Sequence, residues 1–233
     1  MHIPDGFINA ATSVGAGLVA AGGVAVCIRR SAEVLEEKQA PVAGLVAAFI
    51  FAVQMLNFPV ASGTSGHLLG GALAAVLVGP WVGALCVAVV LMVQALLFAD
   101  GGLTALGLNV LNMALVTAFA GYGLFLVLRR LLPRNPGSVA VAAGVAAGLS
   151  VVAASFGFVV EYAVGGTGSA SLPTVAGAMG GVHLLIGIGE GLITAAAVGA
   201  VLAVRPDLVH GATDLRPRLE VRPAVDPVRT GAA

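Results

Sequence analysis

Long apolar stretches separated by short polar segments dominate the chain. Stretches that approach or exceed the roughly 20 residues of a membrane-spanning helix occupy residues 9–28, 40–56, 81–99, 103–128, 138–161 and 182–204. A shorter apolar stretch follows His67 and ends at Gly79 and Pro80, a pair that breaks helices. If this stretch also crosses, the pattern predicts an all-α, polytopic membrane helix bundle of about seven transmembrane helices.

Composition supports a membrane protein. Of the 233 residues, 59% are hydrophobic and 9% are charged, whereas roughly a quarter are charged in ordinary soluble domains. Small residues four apart, such as Gly144 and Gly148, are typical of close packing between helices of one bundle. Both cysteines, Cys27 and Cys86, lie in apolar stretches and are interpreted as packing residues. The formal net charge of zero gives no indication of a nucleic acid partner.

The positions of the basic residues predict the orientation. All 11 Lys and Arg residues fall into three clusters. These clusters are Arg29, Arg30 and Lys38; Arg129, Arg130 and Arg134; and Arg205 to Arg229. Basic segments stay in the cytoplasm, so four crossings between the first two clusters and two between the last two predict the amino terminus outside and the carboxyl terminus inside.

Two regions are predicted along the chain. Residues 1–205 form the transmembrane domain, and residues 206–233, with prolines and no apolar periodicity, form a disordered cytoplasmic tail. The first residues lack the pattern of a cleaved secretory signal. Because His2 is too large to favour removal of the initiator residue, Met1 is expected to keep a free amine.

Three of the four histidines fall on the predicted outer side. His2 is near the amino terminus, His67 precedes the third span and His183 opens the seventh, whereas His210 lies in the tail and is interpreted as solvated. A lone histidine near a helix end is more often an interfacial hydrogen-bonding residue than a ligand, but three on one side favour a shared site.

The position of His2 favours metal chelation. A free terminal amine, the His2 backbone nitrogen and the His2 ring can bind one ion through a five-membered and a six-membered ring, which places three nitrogens in one plane. Planar nitrogen coordination is typical of Ni(II) or Cu(II), and tetrahedral Zn(II) fits it poorly. A fourth nitrogen is expected from His67.

Other polar residues have candidate supporting roles. Pro4, Asp5 and Gly6 form a turn signal, and Asp5 or His183 is a candidate to support a ligand ring from outside the coordination sphere. Polar residues within the spans are expected to face the bundle interior; these are Gln54, Gln94, Asn109, Asn112 and Glu190. Glu190, seven residues after His183, is either a functional carboxyl or a hydrogen-bonded structural one.

Three segments carry a family resemblance. They are Met1-His2-Ile3-Pro4-Asp5-Gly6-Phe7, the run from Asn57-Phe58-Pro59 through Gly63-Thr64-Ser65-Gly66-His67-Leu68-Leu69-Gly70-Gly71, and His183-Leu184-Leu185-Ile186-Gly187-Ile188-Gly189-Glu190. Together they resemble the CbiM/NikM family, the substrate-binding membrane components of energy-coupling-factor transporters for cobalt and nickel. Ala61-Ser62 departs from the Pro-Gly that the family often has, which affects the expected shape of that loop.

The resemblance implies a function and a set of partners. In that family the metal is bound by the terminal nitrogen, the backbone and ring nitrogens of the second residue and the histidine after the Thr/Ser-Gly loop, which correspond here to Met1, His2 and His67. It implies an importer in a prokaryotic plasma membrane that supplies Co(II) to cobalamin synthesis or Ni(II) to nickel enzymes, with no cofactor besides this cargo. The sequence does not decide between the two metals.

The implied partners are a transmembrane coupling subunit, two cytoplasmic ATPases and a small accessory membrane subunit. The chain itself has a single lysine, Lys38, and no G-x-x-x-x-G-K phosphate-binding loop, so ATP hydrolysis is expected in the partners rather than in this chain.

Three alternatives remain open at this stage. An intramembrane metalloenzyme using His2 or His67 with Glu190 would need an open coordination position and turnover, but no His-Glu-x-x-His spacing is present. An ion-gradient-driven secondary carrier typically has two related halves with broken helices, and no such repeat is visible. A carrier of an organic vitamin, coupled to the same partners, is the third alternative.

Overall fold

The structure, a computed structural model, describes residues 2–34, 40–56, 58–59 and 65–215, and within them it is an all-α bundle. The helices are α1 (Ala10–Val34), α2 (Ala40–Gln54), α3 (Gly71–Val78), α4 (Pro80–Leu97), α5 (Leu106–Asn109), α6 (Thr117–Leu131), α7 (Pro136–Gly165) and α8 (Leu172–Val204). A π-helical segment, Val110–Val116, joins α5 to α6. Two-residue strands, β1 (Phe58–Pro59) and β2 (Ser65–Gly66), pair antiparallel.

Five helices of the described residues are long and apolar enough to cross a membrane, and one of them runs without interruption from α5 through α6. Large apolar side chains lie exposed on their outer faces, including Leu18, Leu185 and Val204 at 71%, 70% and 78% exposure. Exposed apolar surface of this extent is typical of contact with lipid. The predicted membrane helix bundle is therefore confirmed.

The predicted count of seven crossings stays a prediction, because two of the expected spans are short. Helix α2 has 15 residues, and α3 has only eight. At 1.5 Å per residue, α3 is about 12 Å long, against a hydrocarbon core of roughly 30 Å. The orientation of the termini likewise stays a prediction.

Helix α3 is the buried centre of the bundle. Residues 71–77 are all buried, and α4, α6 and α7 surround the helix. Gly83 of α4 allows the closest approach, since a Cβ there would lie 2.6 Å from the backbone nitrogen of Ala75. This packing places residues 66–70, which precede α3, inside the protein.

Helices α7 and α8 pack along their whole length through glycines. A Cβ on Gly144 would lie 2.6 Å from the carbonyl oxygen of Gly191, and one on Gly148 would lie 2.7 Å from that of Gly187. The predicted internal role of Gly144 and Gly148 is confirmed. Both helices extend beyond the apolar stretches 138–161 and 182–204, so most of the segment between those stretches is helical.

Ordered structure continues past the predicted domain boundary at residue 205. Residues Pro206–Leu208 and His210–Leu215 form short 3-10 helices. Val209 and Ala212 are fully buried, and Asp214 pairs with Arg129 of α6 at 2.9 Å. The prediction of a disordered tail is wrong for residues 206–215, because two apolar residues are too few to give a periodic pattern yet suffice to fix a short segment. Residues 216–233 lie outside the described residues.

Candidate metal centre

The amino-terminal segment, residues 2–8, is threaded into the bundle rather than left in solvent. The backbone nitrogen of Ile3 donates to Oδ1 of Asn109 at 2.8 Å, and Nδ2 of Asn109 donates to the Ile3 carbonyl at 3.3 Å. The Gly102 nitrogen donates to the same carbonyl at 2.9 Å. Asn109 ends α5 just before the π-helical segment, a distortion often found at functional sites. The residue next to His2 is therefore anchored through its main chain.

Two further contacts anchor the same segment. The Phe7 nitrogen donates to the Pro4 carbonyl at 3.4 Å, which confirms the predicted turn. The Asp5 carboxylate accepts hydrogen bonds from the hydroxyl and the backbone nitrogen of Thr104 at 2.6 and 2.7 Å, and these lower the pKa of Asp5. Thr167 donates to the Gly6 carbonyl at 2.6 Å. Asp5 thus holds the segment in place through Thr104.

Another carboxylate, that of Asp100, is the one paired with His2. Its Oδ2 lies 3.6 Å from Nε2 of His2. Sequence reasoning did not single out this residue, because nothing in the order of residues relates position 100 to position 2. The available signal was that Asp100 lies between the apolar stretches 81–99 and 103–128, at a span end that the predicted topology places on the same side as His2.

The His2 ring is buried and uncharged. It is 5% exposed, and burial lowers its pKa to about 3. At neutral pH one ring nitrogen therefore carries a lone pair that can bind a cation. The ring borders a polar cleft of about 250 Å³, which is lined by His2, Pro4, Asp5, Ala99, Asp100, Gly101 and Gly102.

The His67 ring lies beside the His2 ring, with one ring nitrogen hydrogen-bonded and the other without a hydrogen-bond partner. The ring centres are 4.6 Å apart and the planes are inclined by 34°. Nδ1 of His67 is 2.6 Å from the Leu68 carbonyl. Because a carbonyl only accepts hydrogen bonds, Nδ1 carries the proton and Nε2 carries the lone pair. Nε2 is buried without a hydrogen-bond partner, as a nitrogen reserved for another ligand would be.

The loop that carries His67 is clamped by two buried side chains from distant helices. The carboxylate of Glu190 on α8 accepts from the nitrogens of Leu69 and Gly70 at 2.5 and 2.8 Å. Nε2 of Gln54 on α2 donates to the Leu69 carbonyl at 2.7 Å. Glu190 is therefore a hydrogen-bonded positioning residue, which was one of its two expected roles. All five polar residues predicted to face the interior are buried, at 0–2% exposure.

His183 lies in the middle of its helix. The expectation that it opens the last span is wrong, because α8 begins 11 residues earlier, at Leu172. Its Nδ1 is 2.8 Å from the Met179 carbonyl one turn back, and its buried Nε2 has no hydrogen-bond partner.

The structure brings His2 and His67 together, places Asp5 at the edge of the cleft and buries His183 on α8. Met1 and Ala61-Ser62 lie outside the described residues. Within the described part of the chain, no group of three or more His, Cys, Asp or Glu side chains is arranged to hold a metal ion. Any site at His2 and His67 would therefore draw its remaining donors from elsewhere, for which main-chain nitrogens are chemically suited.

Comparisons with known proteins show the family to which the chain belongs. The profile of the CbiM family, described as "cobalt uptake substrate-specific transmembrane region", matches residues 2–208. A cobalt transport protein of Sorangium cellulosum is 38% identical over 175 residues, which cover 72% of this chain and 76% of that protein. A fused nickel transport protein of Rhodobacter capsulatus is 41% identical over 116 residues, which cover 50% of this chain and 33% of that one.

A solved structure is similar over nearly the whole fold. The crystal structure of a transition metal transporter superposes with a TM-score of 0.82 at 28% sequence identity, covering 93% of this chain and 100% of that chain. The bundle described above is therefore an architecture already seen in a metal transporter.

Proposed function

Because the chain belongs to the CbiM family of cobalt uptake membrane proteins, we propose that it is the substrate-capturing membrane subunit of an ATP-driven importer of Co(II) or Ni(II). One observation carries the proposal. Two buried imidazoles, His2 and His67, lie side by side, and the His67 nitrogen that bears the lone pair has no hydrogen-bond partner in the protein.

The proposed donors are four nitrogens in a plane. They are the terminal amine of Met1, the backbone nitrogen of His2, Nδ1 of His2 and Nε2 of His67. The six-membered chelate ring contains the metal, the His2 backbone nitrogen, Cα, Cβ, Cγ and Nδ1, which is why Nδ1 is the donor. In this arrangement the backbone nitrogen of His2 lies between the terminal amine and Nδ1 of His2 in the plane. The fourth position, assigned to Nε2 of His67, is therefore opposite the backbone nitrogen and next to the His2 ring.

The spacing of the two rings supports this arrangement. A metal-bound imidazole nitrogen lies about 2 Å from the ion, and the ring centre is then about 3.1 Å from it. In a planar four-donor site, neighbouring metal–nitrogen bonds make an angle of about 90°, so the centres of two neighbouring imidazole rings are about 4.4 Å apart. The centres of His2 and His67 are 4.6 Å apart, which is close to this separation.

The proposed assembly has further members. A transmembrane coupling subunit, two cytoplasmic ATPases and a small accessory membrane subunit would act with this chain in a prokaryotic plasma membrane. Support comes from relatives named as cobalt and nickel transport proteins, one of them a fused protein much longer than its match to this chain. Metal uptake into vesicles should require ATP and the ATPase subunits, whereas an ion-gradient-driven carrier would transport without them.

The decisive experiment moves the terminal amine without removing any side chain. Inserting one alanine between Met1 and His2 separates the amine from the ring and should abolish planar capture of Ni(II) and Co(II) in isothermal titration. A peptide tag after Ala233 is the control and should leave the affinity unchanged. Near-native affinity in the inserted protein would show that the amine is not a ligand, and Met1 would then be removed from the site.

A further inference from the structure

We propose that Asp100 is the residue that orients His2 for metal capture, by holding the proton on Nε2 and so keeping Nδ1 directed at the cargo. This inference rests on the proposed function. It assigns a role to a residue that no sequence motif singles out.

The chemistry requires a particular tautomer of His2. If Nδ1 binds the metal, the proton of the neutral ring must be on Nε2. A carboxylate beside Nε2 favours that tautomer and makes the ring a better donor, as in the carboxylate–histidine–metal arrangements common in metal sites. Asp100 is that carboxylate, since its Oδ2 lies 3.6 Å from Nε2. A shift of roughly half an ångström would bring the pair within hydrogen-bonding distance.

The backbone around Asp100 is built to hold it at the ring. The Asp100 nitrogen donates to the Gln94 carbonyl at the end of α4 at 3.0 Å, and the Gly102 nitrogen donates to Ile3 at 2.9 Å. Ala99 has a φ of 52°, a conformation uncommon for a residue with a side chain. A turn held in an unfavourable conformation next to a candidate site is consistent with a functional constraint.

Gly101 keeps the metal-binding edge of the ring open. A Cβ at this position would lie 2.8 Å from Nδ1 of His2 and 3.2 Å from Nδ2 of Asn109. Its φ of 94° also favours glycine. Consecutive residues thus serve opposite edges of the ring: Asp100 faces Nε2, and Gly101 leaves space beside Nδ1.

Asp5 borders the same cleft but has a different function. Its Oδ1 accepts both hydrogen bonds from Thr104, whereas the carboxylate next to Nε2 of His2 is that of Asp100. Orientation of the ligand ring, expected of Asp5 from the sequence, is therefore assigned to Asp100.

The test uses the full-length protein in detergent, with Ni(II) as the probe. Asp100→Asn should bind Ni(II) about 10- to 100-fold more weakly, the range typical for residues that support a metal ligand. The visible absorption band of the planar nickel complex should keep its position, because the four nitrogen donors are unchanged. Asp100→Glu should recover part of the affinity. Asp207→Asn removes the same charge at an exposed residue paired with Arg205 and should bind as the wild type does.

A second readout separates orientation from a general structural effect. In ¹⁵N-histidine NMR of the metal-free protein, with the His2 signal assigned from its loss in His2→Ala, the wild type should show the proton on Nε2 and Asp100→Ala a mixture of tautomers. Unchanged affinity in Asp100→Asn, or an unchanged tautomer in Asp100→Ala, would overturn the inference. If the wild type and His2→Ala bind Ni(II) equally, the proposed function itself has failed.

Discussion

At the scale of single residues, two histidines each have their tautomer determined by a hydrogen bond to a backbone carbonyl. Leu68 fixes the proton of His67 on Nδ1, and Met179 does the same for His183. Both rings therefore present an unpartnered Nε2 to the interior. The two side chains are alike in tautomer and burial, and the ring contact between His67 and His2 is what separates their proposed roles.

Replacing each of these histidines by alanine should give different results. His67→Ala removes a proposed donor and should weaken Ni(II) binding by more than about 100-fold, whereas His183→Ala should cost no more than the 10- to 100-fold typical of supporting residues. Isothermal titration measures both, with thermal unfolding as a check on folding. Abolished binding in a folded His183→Ala protein would make His183 a ligand.

At the scale of elements, the loop that carries the proposed donor His67 is positioned by side chains from two other helices. Glu190 is 121 residues from Leu69 and Gln54 is 15 residues from it, and both hold the loop that carries His67. The loop enters α3 through Gly70, whose φ of 77° suits glycine. Without these contacts the polar backbone groups of residues 69 and 70 would be buried unpaired.

Glu190→Gln should disturb this loop even though the side chain keeps its size. The two carboxylate oxygens of Glu190 each accept one hydrogen bond, from the nitrogens of Leu69 and Gly70. A glutamine has one accepting oxygen, so its NH₂ group would face one of these N–H groups, and two donors cannot form a hydrogen bond. Ni(II) affinity should fall about 10- to 100-fold, and hydrogen exchange at Leu69 and Gly70 should accelerate.

Glu161→Gln is the matched control for Glu190→Gln. Glu161 is a partly buried carboxylate on α7 that accepts from Asn112 at 2.7 Å, and a glutamine oxygen can accept the same bond. This variant should bind Ni(II) normally. Equal affinity loss in both variants would point to a general effect of removing buried charge.

Local signals made part of this arrangement predictable. The His2 motif follows from chelate ring sizes, and the turn at residues 4–6 follows from Pro, Asp and Gly. The contact of Asp100 with His2 depends on which two loops meet in the folded protein. The hydrogen bonds of Glu190 with residues 69 and 70 depend on which turn of α8 lies opposite that loop. Hydrophobic periodicity indicates the buried face of a helix but not this register, so the supporting residues emerge only from the assembled bundle.

At the scale of the whole molecule, the candidate site and the carboxyl-terminal segment occupy opposite ends of α3. His67 and Gly70 precede the helix, whereas a Cβ on Gly79, which follows it, would lie 3.4 Å from the His210 ring. If the amino terminus is outside, the site opens outward and residues 206–215 cover the cytoplasmic end. The orientation therefore decides whether the cleft can receive external metal.

Cysteine labelling tests the orientation directly. Both native cysteines are buried and can be replaced by alanine to give a background without reactive thiols. Leu103, 57% exposed beside the cleft, should as cysteine react with an impermeant reagent from outside. Exposed Thr213 should as cysteine react only after permeabilisation. The reverse pattern would contradict both the topology and the outward-facing site.

If His2 binds the metal as proposed, the anchoring of Ile3 by Asn109 would link the departure of the ion to a movement of the chain. In a site made only of side chains, ligands can leave one at a time and each vacancy can be filled by water. Here three of the four proposed donors belong to the first two residues, which leave or stay as one piece. Unloading would then require the amino-terminal segment to release the ion as a unit, and its rate would depend on how fast that segment detaches from the bundle.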